Sequence, residues 1–214
     1  MKTLIYLDLA QVAYEEALNL QIEIQEKVQN GAPDHLILLE HPKVITIGLN
    51  ANLSNILFDD LELVKRGYDV KHIRRGGDVT YHGPGQVVGY LIFNLKKHHG
   101  GSIRSFVTTL EQTLIDFLLE TYGIVAHRDP INAGVFIGTS KIAAIGLSVS
   151  KGVTMHGFAL NANTMLSDFS AIIPCGLSNR TVTSIECLLG HSVDLSLLKE
   201  NLTYSIIDKF KFDK

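Results

Sequence analysis

The 214-residue chain has no tryptophan, five prolines and only two cysteines, Cys175 and Cys187. Neither cysteine belongs to a CxxC pair or has histidines at ligand spacing beside it, so a zinc ribbon, a disulfide framework and any other metal site are not expected. Long apolar runs are missing too: LILL at 36–39 and AAIGL at 143–147 fall far short of the ~20 residues a membrane helix needs. The N-terminal stretch MKTLIYLDLAQVAYEE is interrupted by Asp8 and Glu15 and has no small-residue cleavage site, so it reads as the first strand and helix of a cytoplasmic protein. No basic block appears, and 19 Lys and Arg against 22 Asp and Glu give a formal charge of -3, which argues against nucleic-acid binding. Neither GxxxxGK[ST] nor a helix-opening GxGxxG is present, so phosphate cradles of those types are not expected.

What is present is the composition of an ordinary globule, 46% apolar and 19% charged, which excludes disordered and collagen-like classes. No linker or repeat divides the chain, so residues 1–214 are expected to form one domain, with room for a small helical C-terminal lobe from about residue 180. TLIYLDLA reads as a strand. Val12, Ala13, Ala17, Leu20, Ile24 and Val28 then share a helix face that ends at Gly31. HLILLE and VITIG read as strands meeting at a turn around His41-Pro42, DDLELVKRG as a short helix, YDVKHIR and QVVGYLIFNL as strands. A helical stripe runs from Ser102, its N-cap, to Gly123. AGVFIG, KIAAIGLSVS and VTMHGFALNAN form a meander, and a helix from about Asp194 closes the chain. This order predicts an α+β fold with a mixed or antiparallel sheet and flanking helices.

Three segments concentrate chemistry. RRGGDVTYHGPGQ at 74–86 is read as a loop whose glycines either bring backbone close to a ligand or merely make a hairpin turn. Lys141 heads an apolar strand, as a solvated strand end or as an amine set against an apolar wall. Cys175, between Pro174 and Gly176, sits in a turn that suits a reactive thiol or a structural one. Cys187 follows Thr183 and Glu186 at capping-box spacing and is expected to pack inside a short helix. His156 is expected to be a satisfied structural histidine, His41 and the His98-His99 pair are not expected to bind metal, and Arg128-Asp129-Pro130 is expected to be a solvated turn.

RGGDVTYHGPGQ at 75–86, EHPKVITIG at 40–48, GTSKIAAIG at 138–146, HGFALN at 156–161 and IPCGL at 173–177 followed by VTSI together resemble the lipoyl(octanoyl) transferases, the lipoate-protein ligase B family. The resemblance covers most of the chain, in the family's order. Asp78 falls where the family varies, and NANLSN after Gly48 departs from its usual sequence.

The resemblance implies the fold of biotin and lipoate protein ligases. It also implies octanoyl transfer from acyl carrier protein to a lysine of the lipoyl domains of 2-oxoacid dehydrogenases or of glycine cleavage H protein, with no cofactor. In this comparison Cys175 corresponds to the acylated nucleophile and Lys141 to the partner that lowers its pKa. Arg75, Gly76, Gly77, Asp78, Val79, Thr80, Tyr81 and His82 correspond to the substrate loop. Ala144, Ile145, Gly146, Gly157, Phe158 and Ala159 correspond to the acyl pocket. An ATP-dependent lipoate or biotin protein ligase is the alternative, distinguished by the cysteine it does not require. Acidic protein partners would dock on local positive patches, for which Lys71, Arg74, Arg75, Lys96 and Lys97 are the candidates.

Overall fold

The computed structural model describes residues 3–173 and 181–213. The chain runs β1 (Leu4–Gln11), α1 (Tyr14–Gln29), β2 (Asp34–Glu40), β3 (Val44–Ile47), α2 (Asp60–Lys65), β4 (Asp69–His72), β5 (Val79–His82), β6 (Gln86–Ile92), α3 (Ile103–Tyr122), β7 (His127–Arg128), β8 (Gly134–Ile137), β9 (Ser140–Ser150), β10 (Val153–Asn161), β11 (Thr181–Val182), α4 (Ile185–Leu189) and α5 (Leu195–Phe210). The main sheet has the order β1-β2-β6-β10-β9-β8-β7, with β11 beside β9, and a small second sheet has the order β4-β3-β5. α1 is the crossover that lets β1 lie parallel to β2. Beyond that pair the central strands are antiparallel, so both sheets are mixed and the α+β expectation holds.

β2 is buried on both faces, and its alternation sorts the core. Leu36 and Leu38 face α3 and α5, packing with Phe106, Phe117, Leu202 and Phe210. Ile37 and Leu39 face α1, packing with Ala17, Ile24 and Val28. The helices start and stop where their caps dictate. Ser102 Oγ accepts from Ser105 N–H, Gly123 takes the left-handed conformation that ends α3, and Asp194 caps α5 through two backbone N–H groups. Because Leu198, Leu202 and Ile206 of α5 belong to the main core, the C-terminal helix is part of the same body. Among the described residues no helix is long and apolar enough to cross a membrane.

Four expectations need correction. Residues 79–82 are a strand rather than loop: Val79, Thr80 and Tyr81 are strand formers, and they pair with β3 at Ile47, Thr46 and Ile45 while the glycines on either side only set the ends. The runs HLILLE and VITIG do not pair with each other, because the His41-Pro42 corner carries the chain from one sheet to the other. Arg128 ends strand β7 instead of opening a turn; it is exposed as expected, and it also lies 3.3 Å from Glu111 and donates to Gln112 Oε1 at 2.5 Å, fixing β7 to α3. Cys187 is exposed in the first turn of α4, with its N–H bonded to Ser184 Oγ at 3.1 Å, so the cap falls one residue later than the Thr183 spacing predicts.

Candidate active site

Lys141 reaches the site through an irregularity in β9. The ladder with β8 joins Val135 to Ala143 but Phe136 to Lys141, so Ile142 is an extra residue. Strict alternation would put Lys141 on the face of Ala143, which is in the core; the bulge turns it to the face of Ala144 and Gly146. There the side chain is 7% exposed, with Nζ 5.2 Å from the centre of the Phe136 ring.

This face lines a cavity of about 490 Å³. Its floor follows from strand register. Val88, Ala159 and Ala144 are cross-strand partners in one row, and Tyr90, Gly157 and Gly146 in the next. Small side chains in two successive rows leave room for a slender apolar group, and Ile103 and Val107 of α3 add apolar wall. Substitution is restricted here, since a Cβ on Gly157 would meet the Gly89 carbonyl oxygen at 2.0 Å.

The other end of the cavity, opposite Lys141, is polar and built around Arg75, which is 7% exposed. Arg75 Nη2 donates to Thr46 O at 2.8 Å and to Thr46 Oγ1 at 2.9 Å, and Nη1 donates to Gly76 O at 3.0 Å. The loop can pass this closely because residue 48 is glycine; a Cβ there would lie 2.3 Å from Gly77 O.

Around the guanidinium stand Tyr14, His82, Tyr90 and His156. Burial pushes His82 down to about 3, with His41 and Arg75 adding to the effect. Burial likewise takes His156 to about 4, with the Arg75 charge second, and raises Tyr14 to about 12. These histidines are therefore neutral near pH 7. His82 Nδ1 donates to Gln86 Oε1 at 2.7 Å, Gln86 Nε2 donates to Asn161 Oδ1 at 2.9 Å, and Asn161 Nδ2 donates to Thr183 O at 3.0 Å, a chain that fixes the tautomer. His41 is satisfied on both nitrogens, by Val12 O and the Tyr90 hydroxyl. His156 corrects its expectation: it has a positive φ of 65°, and among the described residues its buried Nε2 has no hydrogen-bond partner.

The cavity thus gathers Lys141, six of the expected acyl-pocket residues and seven of the eight loop residues from Arg75 to His82. Tyr81 is the exception. It packs on Phe169 at 5.1 Å and donates its hydroxyl to Asp168 Oδ2 at 2.9 Å, under the small sheet. Cys175 lies outside the described residues. Tyr14, Val88, Tyr90, Ile103 and Val107 also line the site, and sequence reasoning missed them. Only the register of β6 against β10 reveals the two on β6. Among the described residues, no three His, Cys, Asp or Glu gather as a metal site.

Residues 13–207 match the model of the lipoyl protein ligase A/B catalytic domain. The octanoyltransferase of Alkaliphilus metalliredigens is 47% identical over 96% of this chain and 94% of its own length. The chain belongs to the octanoyltransferase family. The octanoyltransferase of Caldicellulosiruptor saccharolyticus is 48% identical over 94% of this chain and 85% of its own. Among solved structures, lipoate-protein ligase A bound with ATP superposes with a TM-score of 0.81 at 17% identity, covering 96% of this chain and 85% of that one. Biotin protein ligase from Aquifex aeolicus gives 0.56 at 13% identity, covering 99% and 71%. At such identities these two likenesses speak for the fold, which is the one the motifs imply.

Proposed function

We propose that the chain is an acyltransferase that moves an octanoyl group from acyl carrier protein to a lysine of lipoyl domains, through a thioester on Cys175, in the cytoplasm. The observation that carries this reading is the buried Lys141 at the head of a cavity floored by alanine and glycine, in a member of the octanoyltransferase family. The Cys175 thiolate attacks the carbonyl carbon of the donor thioester. The donor's C–S bond breaks, and its sulfur leaves as the thiol with a proton given up by the Lys141 ammonium, which becomes the neutral amine. The acceptor lysine then attacks the enzyme thioester, Cys175 leaves, and neutral Lys141 accepts the amine proton. Exchange of one thioester for another is nearly balanced, while the amide product is more stable, so the sequence closes without a nucleotide.

Two anchors support placing Cys175 in this role. Val182 pairs in register with Lys141, and Thr183 N–H donates to Lys141 O at 3.0 Å. On the other side Ile173 N–H donates to Asn55 O at 2.7 Å. The segment that carries Cys175 therefore starts and ends at fixed points, one of them beside Lys141. Intact-mass measurement after mixing with octanoyl-acyl carrier protein, without ATP, tests the reading. Wild type and Cys187→Ser are expected to gain one octanoyl mass and Cys175→Ser none; loading of Cys175→Ser, or a requirement for ATP, would overturn it.

A further inference from the structure

The NANLSN run at 50–55 and Asp78 of the motif loop are bonded to each other. Asp78 Oδ1 accepts from Asn52 N–H at 3.0 Å, and Asp78 Oδ2 accepts from Asn55 Nδ2 at 2.5 Å. Asn52 in turn caps the short turn at Leu53–Asn55, with its side-chain oxygen accepting from Ser54 N–H at 3.1 Å. Asn55 is 7% exposed, so its amide is engaged in a largely water-free place. From there the contact passes to residues 171–173, which precede Cys175 in the chain. Ile173 N–H donates to Asn55 O at 2.7 Å, Leu57 N–H donates to Ala171 O at 3.0 Å, and Ile56 and Ile172 form an antiparallel bridge. The run 55–57 is thus a short splint along 171–173, and the Asp78 carboxylate holds the splint.

We infer that Asp78 and Asn55 are positioning residues that fix the chain leading to the nucleophile, rather than substrate contacts. The inference rests on Cys175 being the acylated residue. Both carboxylate oxygens of Asp78 are engaged by the 52–55 turn, although the residue belongs to the loop that borders the cavity. A carboxylate in this place also explains the asparagine at 55: it presents two acceptors, and the turn matches them with the Asn52 backbone N–H and the Asn55 side-chain amide, while the Asn52 side chain serves the turn itself.

The test uses the full chain and the octanoyl-acyl carrier protein reaction. Asp78→Ala is expected to lower the rate of Cys175 acylation about 10- to 100-fold, the scale of a small misplacement of a reacting group, with KM for the donor unchanged within about twofold. Asn55→Asp, which sets two carboxylates face to face, is expected to lose a similar factor. The exchanged pair Asn55→Asp with Asp78→Asn restores one donor and one acceptor across the contact and is expected to recover the rate. A rise in KM at constant kcat, no change in Asp78→Ala, or no recovery in the exchanged pair would overturn the inference. Should Asp78→Ala fail to fold, Asn55→Asp and the exchanged pair decide alone. Intact-mass loading of wild type and Cys175→Ser in parallel separates this outcome from a failure of the Cys175 assignment: absent loading of wild type condemns the nucleophile, and normal loading with unaffected variants condemns only the splint.

Discussion

Two lysines of this chain are buried to nearly the same degree, Lys141 at 7% and Lys199 at 6% exposure, and they serve different ends. Lys199, on α5, places Nζ 2.5 Å from Asp8 Oδ1 on β1, so a carboxylate meets its charge and the pair ties the last helix to the first strand. Lys141 is turned by an extra residue in its strand toward a cavity, over the face of an aromatic ring. A buried lysine is costly in either setting, so burial alone does not mark function. The direction imposed by the backbone does.

Replacing each lysine should separate the two roles. Lys141→Ala is expected to keep the fold and slow octanoyl transfer by roughly 10²–10⁴-fold, the usual scale for losing a proton-transfer partner. Lys141→Arg should not rescue, because guanidinium does not give up its proton. Steady-state transfer assays check both, and near wild-type turnover in Lys141→Arg would leave only a role for positive charge. Filling the floor beside Lys141 tests the cavity itself. Ala144→Leu is expected to favour shorter acyl donors over octanoyl by about tenfold or more, the scale of a few methylenes in an apolar pocket, as read from competing donors.

The opposite end of the cavity sharpens the contrast, because it buries histidines without charge. His82 at about 3, and His41 and His156 at about 4, bind no proton in the folded state at pH 5, whereas in the unfolded chain they titrate near 6.5. The unfolded state therefore holds more protons between pH 6.5 and about 4, so stability rises with pH across that window. As pH falls it is lost, by up to ~1.4 kcal/mol per pH unit for each histidine. Thermal unfolding at pH 7 and pH 5 should show a clear fall in Tm, and a flat profile would contradict neutral buried histidines. Lys199→Met should lower Tm by only a few degrees, about 1 kcal/mol, because Asp8 is substantially exposed and water screens the pair, with transfer rates unchanged. The smallest effect is expected for Lys96→Glu. Gln86 pairs with Asn161, which puts Lys141 level with the start of β6, whereas Lys96 follows its end, about 23 Å away at 3.3 Å per residue. Donor KM should change by less than about twofold; a large rise would restore this lysine as a docking group.

Much of this architecture could be read from periodicity. The stripe from Phe106 to Leu118 translates directly into burial, because that face of the helix has nowhere else to go, and β10 is a strand as expected, although it is buried on both faces and not on one. The motif residues likewise come together in one cavity. What escaped was non-local. Nothing near Val88 or Tyr90 announces a cavity floor, since both read as ordinary core until β6 is laid against β10. The aromatic at 81 and the histidine at 82 look equivalent in a motif, yet a strand sends them to opposite faces, one to Asp168 and one to Gln86. The packing expected of Cys187 fails because exposure depends on what lies alongside a short helix, whereas Arg128 is exposed as expected and only its ties to α3 were not legible.

The added residue at Ile142 makes the chemistry of β9 a matter of parity. Every side chain from Ala143 onward keeps its place whether or not Ile142 is present, since β10 holds that part of the ladder. Removing this one isoleucine would only make the ladder regular, leaving Lys141 opposite Phe136 and on the cavity face; closing the bulge with Ile142 kept, so that Ile142 pairs with Phe136, is what would send the ammonium into the packing between sheet and helices. In that slipped register the identity of the amine would be untouched and its usefulness gone, so the pairing of one isoleucine matters here more than its presence.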